Sequence, residues 1–249
     1  MSRVGLLRTA VIAGAIASLE GLIRGGIVPR FTIIPPSEMV VALVAILRSG
    51  KFTIDIVTTL TNVALAIVAA MIVGVAVGTA LQKAAALRRI FDPLFATYYA
   101  IPMYAFYPLL IVVFGLGDVP QICIGFLLAV MAVIINTLNG LDRVPRVLLK
   151  AARMHRMGGL RTALRIRLPY AAPYIFTGFK LAVAYSFIGV IGAEFITSSR
   201  GIGYEISFAY NNFDNRLMYG LILFVLLLVM TVNMSLHVWE KRLMARRRR

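Results

Sequence analysis

Apolar residues run in long unbroken blocks along this chain, and charged residues are confined to the gaps between them. Four blocks contain no charged residue: Ile56 to Leu81, Pro93 to Gly117, Val119 to Leu141 and Leu217 to Trp239. Each reaches the roughly 20 residues that a helix needs to cross a bilayer. A fifth block, Tyr170 to Ser199, is interrupted only by Lys180 and Glu194. The first, Val4 to Ile27, is weaker, because Arg8, Glu20 and Arg24 leave only Thr9 to Leu19 uncharged. No small-residue cleavage site followed by a polar segment is evident, so an uncleaved span is expected rather than a signal peptide. Between the first two spans, Pro35-Pro36-Ser37-Glu38 predicts a helix start with Ser37 as its cap. The apolar run behind it ends by Gly50, too short to cross, and reads as an interfacial helix.

Composition agrees with the pattern. The 249 residues are 60% hydrophobic and 14% charged, with mean hydropathy +0.88, against about 45–50% and 25% in soluble domains. The expected fold class is an all-α integral membrane protein of six transmembrane helices, with residues 1–249 forming a single domain. The net charge of +16 would suggest nucleic acid in a soluble protein, but here topology accounts for it. With both ends in the cytoplasm, 19 of the 26 Lys and Arg fall in inner loops and tails, six fall outside, and Lys180 lies in a span. Eight of the inner cations crowd into one loop, about residues 142–169. The run Arg246 to Arg249 is an inside-retention cluster able to meet anionic lipid.

That loop is the best clue to function. It reads Lys150-Ala151-Ala152-Arg153-Met154-His155-Arg156-Met157-Gly158-Gly159 and, after Leu160 to Arg165, Ile166-Arg167-Leu168-Pro169. Pro145 to Met157 is expected to form a short helix, Gly158-Gly159 a turn, and Leu160 to Arg167 a second amphipathic helix ending at Leu168-Pro169. Small Ala151 and Ala152 would let the first helix sit close to a partner surface, so a bulky residue at Ala152 is expected to uncouple that partner. The chain has no Gly-x-x-x-x-Gly-Lys-Ser/Thr sequence, hence no phosphate cradle of its own. Cys123 sits alone in an apolar stretch and is expected to be a small buried hydrophobe, and His155 and His237 lack metal-ligand spacing.

These residues resemble the permease subunits of binding-protein-dependent ABC importers, whose loop has the form Glu-Ala-Ala, three residues, Gly, nine residues, Ile-x-Leu-Pro. Ala151, Ala152, Ile166, Leu168 and Pro169 fall in register. Lys150 stands where the pattern has Glu and Arg156 where it has Gly, and Gly158 comes two residues late, which predicts a displaced turn. Pro35-Pro36-Ser37, Ile101-Pro102 with Tyr107 to Gly117, and Gly192-Ala193-Glu194-Phe195 followed by Gly201-Ile202-Gly203-Tyr204 extend the resemblance to the nitrate/sulfonate/taurine branch. It implies a subunit of the bacterial inner membrane that binds no cofactor itself. The implied partners are a cytoplasmic ATPase dimer carrying ATP and Mg, a second permease subunit and an external substrate-binding protein. The implied solute is a nitrate-, sulfonate- or taurine-like anion, or a vitamin-like aromatic compound.

Within the spans, Tyr98, Tyr99, Tyr104 and Tyr107 are candidate pathway residues, since Tyr combines an apolar body with a polar tip. Pro102 and Pro108 could break that helix and open backbone groups to a cavity. Lys180 and Glu194, fourteen residues apart and thus about 21 Å along a helix, cannot pair with each other. They mark a pathway or interface, or else lie as a snorkelling cation and a bundle cap near the two surfaces. An ion-gradient-driven secondary transporter is the alternative function; it predicts inverted repeats with paired midplane carboxylates, which the sequence lacks.

Overall fold

The computed structural model describes residues 3–247 and is helical throughout, with short connections. In chain order the helices are α1 (Arg3–Arg24), α2 (Pro36–Ser49), α3 (Thr53–Lys83), α4 (Ala85–Thr97), α5 (Tyr107–Phe114), α6 (Asp118–Asp142), α7 (Arg146–Met154), α8 (Gly159–Thr162), α9 (Leu168–Ile196), α10 (Ile202–Asn211) and α11 (Asn215–Arg247). Among the described residues five helices are long and apolar enough to cross a membrane, and a bent pair makes a sixth. The Arg246–Arg249 cluster lies outside the residues whose side chains are described.

The bent pair is where the third expected span, 93–117, departs from a straight helix. Residues Ala86–Ala100 and Met103–Phe114 meet at 90°. Ile101 is extended (φ −77°, ψ 123°), as sterics demand of a residue preceding proline. Pro102 therefore breaks the helix. Pro108 does not; it sits in the first turn of α5, where its missing N–H costs nothing.

Small residues set the packing of the bundle centre. α9 lies most extensively against α6, which in turn packs on α3. A Cβ built at Gly189 would stand 2.6 Å from the Cα of Gly125, so backbone meets backbone there. Gly178 and Gly140 let the same two helices close up at Asn136 and Ala171, while Gly74 and Gly78 seat α3 against Val133 and Thr137. A second face of α9, carrying Val183, Phe187 and Val190, packs with Val63 and Ala66 of α3 and takes Leu228 and Val232 of α11 at its edge. Without a hydrophobic force between helices in lipid, such close approach is how they associate.

Three local expectations need revision. Ser37 is not the cap of α2, whose N-cap position is Pro35. Its hydroxyl instead donates to Glu20 Oε1 at 2.6 Å and its N–H to Oε2 at 3.0 Å, tying α2 to α1. Lys180 does not snorkel alone: Nζ meets Glu240 Oε2 of α11 at 2.6 Å, beside the edge-on contact of Phe176 with Trp239. Cys123 is only half-buried.

Candidate functional site

The 142–169 loop buries Val144, Ala152 and Ala163 and exposes most of its other residues. In α7, Leu149 and Ala152, three positions apart, turn inward, and Ala152 is only 3% exposed. Ala152 therefore faces its own chain, and a bulky residue there would repack the loop rather than obstruct a partner. Ala151 is exposed, as are Lys150 and Arg153. Val147 and Met154, 74% and 85% exposed, join Ala151 on one helical face. Leu160 and Leu164 continue this apolar exposure beyond the turn.

The turn after α7 is in register with the family pattern, contrary to the displaced turn expected from Gly158. Arg156 has φ +50°. Its N–H donates to Arg153 O at 2.9 Å, and the N–H of Met157 donates to Ala152 O at 2.9 Å. These two bonds define a Schellman motif in which Arg156 is the left-handed residue that glycine usually supplies. Arg156 thus keeps the backbone path at a cost of about 1 kcal/mol relative to glycine. Gly158, at φ −61°, contributes no unusual backbone.

The segment beyond it does not end at Leu168-Pro169. α8 passes through one π turn, Ala163–Arg167, straight into α9, giving a continuous helix from Gly159 to Ile196. The wide turn, closed by the N–H of Leu168 on Ala163 O, makes room for the ring of Pro169, which would clash inside a regular α-helix. Ile166 lies on the π turn and is half-buried. α8 and the long span α9 are therefore one helix with a single wide turn, joined to α7 through the turn at 155–158.

Along α9, Tyr170, Tyr174, Thr177, Leu181, Tyr185, Ile188 and Gly192 recur at spacings of three and four, so they share a third face. Tyr99 lies 5.5 Å from Tyr185, ring to ring, and is 46% exposed. Tyr104 donates to Ile188 O at 2.5 Å, and its ring fills the space that a Cβ on Gly192 would take. The broken helix thus lays Tyr99 and Tyr104 against this face. Tyr98 and Tyr107 are placed differently: Tyr98 donates to Leu127 O and Tyr107, 2% exposed, to Thr197 O, each at 2.7 Å.

Glu194 is fully buried at the opposite end of α9 from the loop. Its role was not legible in the sequence. The N-terminal N–H groups of α10 have no partner within their own helix, and three side chains from elsewhere supply acceptors. Gly201 N–H donates to Asp55 Oδ1 at 3.0 Å, Ile202 N–H to Thr59 Oγ1 at 2.9 Å and Gly203 N–H to Glu194 Oε2 at 3.0 Å. Thr59 passes its own hydrogen to Glu194, 2.8 and 2.9 Å from the two oxygens. Two acidic side chains at this helix start also suit its dipole. Gly201 (φ +103°) and Gly203 are required because a Cβ on either would overlap Glu194. Gln121 reaches Ser198 at 2.8 Å and Asn62 reaches Gln121 at 3.1 Å, extending the clasp to α6. Among the described residues no group of three or more His, Cys, Asp or Glu converges as a metal site.

Residues 70–249 match the family of binding-protein-dependent transport system inner membrane components. The nitrate import permease protein NrtB of Leptolyngbya laminosa is 31% identical over 179 residues, 72% of this chain and 64% of the relative, so the match spans less than two thirds of that protein. The bicarbonate transport system permease protein CmpB of Synechococcus elongatus is 34% identical over 62% of this chain and 56% of its own length. The taurine transport system permease protein TauC of Escherichia coli is 24% identical over 84% and 78%. The methionine ABC transporter MetNI in inward-facing form has a chain of the same fold, with a TM-score of 0.64 at 17% identity, covering 77% of this chain and 95% of that one. This chain belongs to the inner membrane component family of binding-protein-dependent transport systems.

Proposed function

We propose that this chain is the membrane-spanning permease subunit of an ATP-driven importer, passing a small solute from an external binding protein to the cytoplasm. Its partners are a cytoplasmic ATPase pair, which holds ATP and Mg, and a second permease subunit. The observation that carries this reading is α7, a helix outside the spans whose Val147, Ala151 and Met154 face away from the chain among cations. Exposed apolar residues grouped on one face mark a docking surface. ATP-driven closure of the ATPases moves α7, and the rigid run from Gly159 to Ile196 carries that motion into the bundle, a two-state element biased by a ligand held elsewhere. The positive charge of the loop supports a cytoplasmic placement for it, and the cations near both ends of the chain support the same side for the termini. The third face of α9, with Tyr99, Tyr104 and Tyr185, is the proposed pathway lining, while Lys180 and Glu194 hold the helices behind it. The relatives' nitrate, bicarbonate and taurine solutes favour a small solute bearing an oxyanion group as cargo.

The test is steric. Ala151→Trp is expected to leave membrane insertion intact and to lower ATP-dependent uptake in proteoliposomes at least about tenfold, a loss of about 1.4 kcal/mol of docking. Normal uptake by that variant would remove α7 from the mechanism.

A further inference from the structure

A cleft of about 1000 Å3 opens between the loop and the start of α9; Arg143, Arg165, Tyr170, Tyr174 and Thr177 are its polar lining, and Leu148, Ile166 and two prolines make the rest apolar. Its charge is one-sided. Arg143 Nη1 donates to the Tyr174 hydroxyl at 2.8 Å, and the guanidinium stands 5.0 Å from the centre of that ring. Both contacts are made to one neutral side chain. Among the described residues neither Arg143 nor Arg165 has a carboxylate within salt-bridge distance. The nearest acid in sequence, Asp142, is occupied by Arg88 at 2.7 Å. Tyr174 accepts from Arg143 and so keeps its own hydrogen to donate, and the Tyr170 hydroxyl adds a second neutral donor to the lining.

Two guanidiniums sharing one cleft without a counter-charge repel each other, and an anion between them removes that repulsion while gaining charge-assisted hydrogen bonds. The flat donor fork of arginine matches the paired oxygens of a sulfonate, sulfate, phosphate, nitrate or carboxylate group. We propose that this cleft is an oxyanion-binding site, with Arg143 and Arg165 as the charged ligands and Tyr174 and Tyr170 orienting the bound group. Two sources supply such a group: a free oxyanion in solution on the loop's side of the membrane, or the phosphodiester of an anionic lipid. The cleft lies in the same loop that the importer reading docks on the ATPase, while its ligands all come from this chain, so binding is tested with the ATPase absent.

The test uses the full chain, without ATPase, in nanodiscs of phosphatidylcholine, titrated calorimetrically with sulfate at constant ionic strength. Saturable binding is expected, weakened about tenfold by Arg143→Gln and again by Arg165→Gln, as for the loss of a hydrogen bond to a charged group. Arg48→Gln with Arg216→Gln, a matched charge change at distant exposed positions, should leave binding unaltered. Arg143→Lys keeps the charge, loses the fork and should fall between wild type and Arg143→Gln, which a merely unfolded variant would not. In discs of equal phosphatidylcholine and phosphatidylglycerol, unchanged sulfate affinity identifies a free oxyanion as occupant, and a competitive loss identifies the lipid phosphate. Absence of saturable sulfate binding in phosphatidylcholine, or binding that survives both glutamine replacements together, overturns the proposal.

Discussion

Glu194→Ala is expected to destabilise the chain by about 3 kcal/mol, the largest single loss outside the helix seams. The variant strands the N–H of Gly203 and the hydroxyl of Thr59, both buried acceptor-seekers, and each unsatisfied buried polar group costs about 1–3 kcal/mol. It also removes one of the acidic groups at the start of α10. Glu194→Gln should cost less, about 1–2 kcal/mol, because the amide keeps one acceptor oxygen while presenting an unwanted donor. Thr59→Val measured alone and in the Glu194→Ala background should be strongly non-additive, since the two side chains form one relay. The measurement is unfolding by SDS in mixed micelles. A Glu194→Ala variant within about 0.5 kcal/mol of wild type, the range of neutral surface changes, would show that the clasp holds nothing.

The second large effect lies in the seam between α6 and α9. Gly189→Ala places a methyl 2.6 Å from the Cα of Gly125, where backbone rather than a flexible side chain must yield. Overpacking of that kind costs about 1–3 kcal/mol, and two helices that cannot reseat put the value near the top. Gly14→Ala in α1 is the matched control, because nothing lies within 4 Å of its added Cβ. It should be neutral or stabilising by up to about 1 kcal/mol, from helix propensity alone. Equal responses of the two glycines to SDS would mean that the seam does not depend on close approach.

How far the sequence foretells this molecule depends on the range of the interactions involved. The spans are legible because a run such as Ile56 to Leu81 records its solvent residue by residue. The bend at Ile101 was also available, since proline restricts its predecessor locally, yet three prolines in that stretch made the break hard to assign to Pro102. Arg156 misled for a different reason. A left-handed residue is usually betrayed by glycine, and here the Schellman bonds keep the turn without it. The direction of Ala152 needs the tertiary structure, because Ala151 and Ala152 are alike in type and differ only in which way the helix turns them. Least legible are the long-range pairings. Thr59 and Glu194 are 135 positions apart, and Lys180 and Glu240 are 60 apart. Helix spacing shows that Lys180 and Glu194 cannot meet, and says nothing of whom each meets instead.

The central claim is that this chain moves solute only when a separate ATPase acts on α7. Its most direct test is uptake into proteoliposomes containing this chain with a P-loop ATPase and a loaded external binding protein. The account predicts uptake that requires ATP, the ATPase and the binding protein together, and that persists when ion gradients are collapsed. Uptake by the chain alone, driven by an ion gradient with no ATPase present, would contradict it.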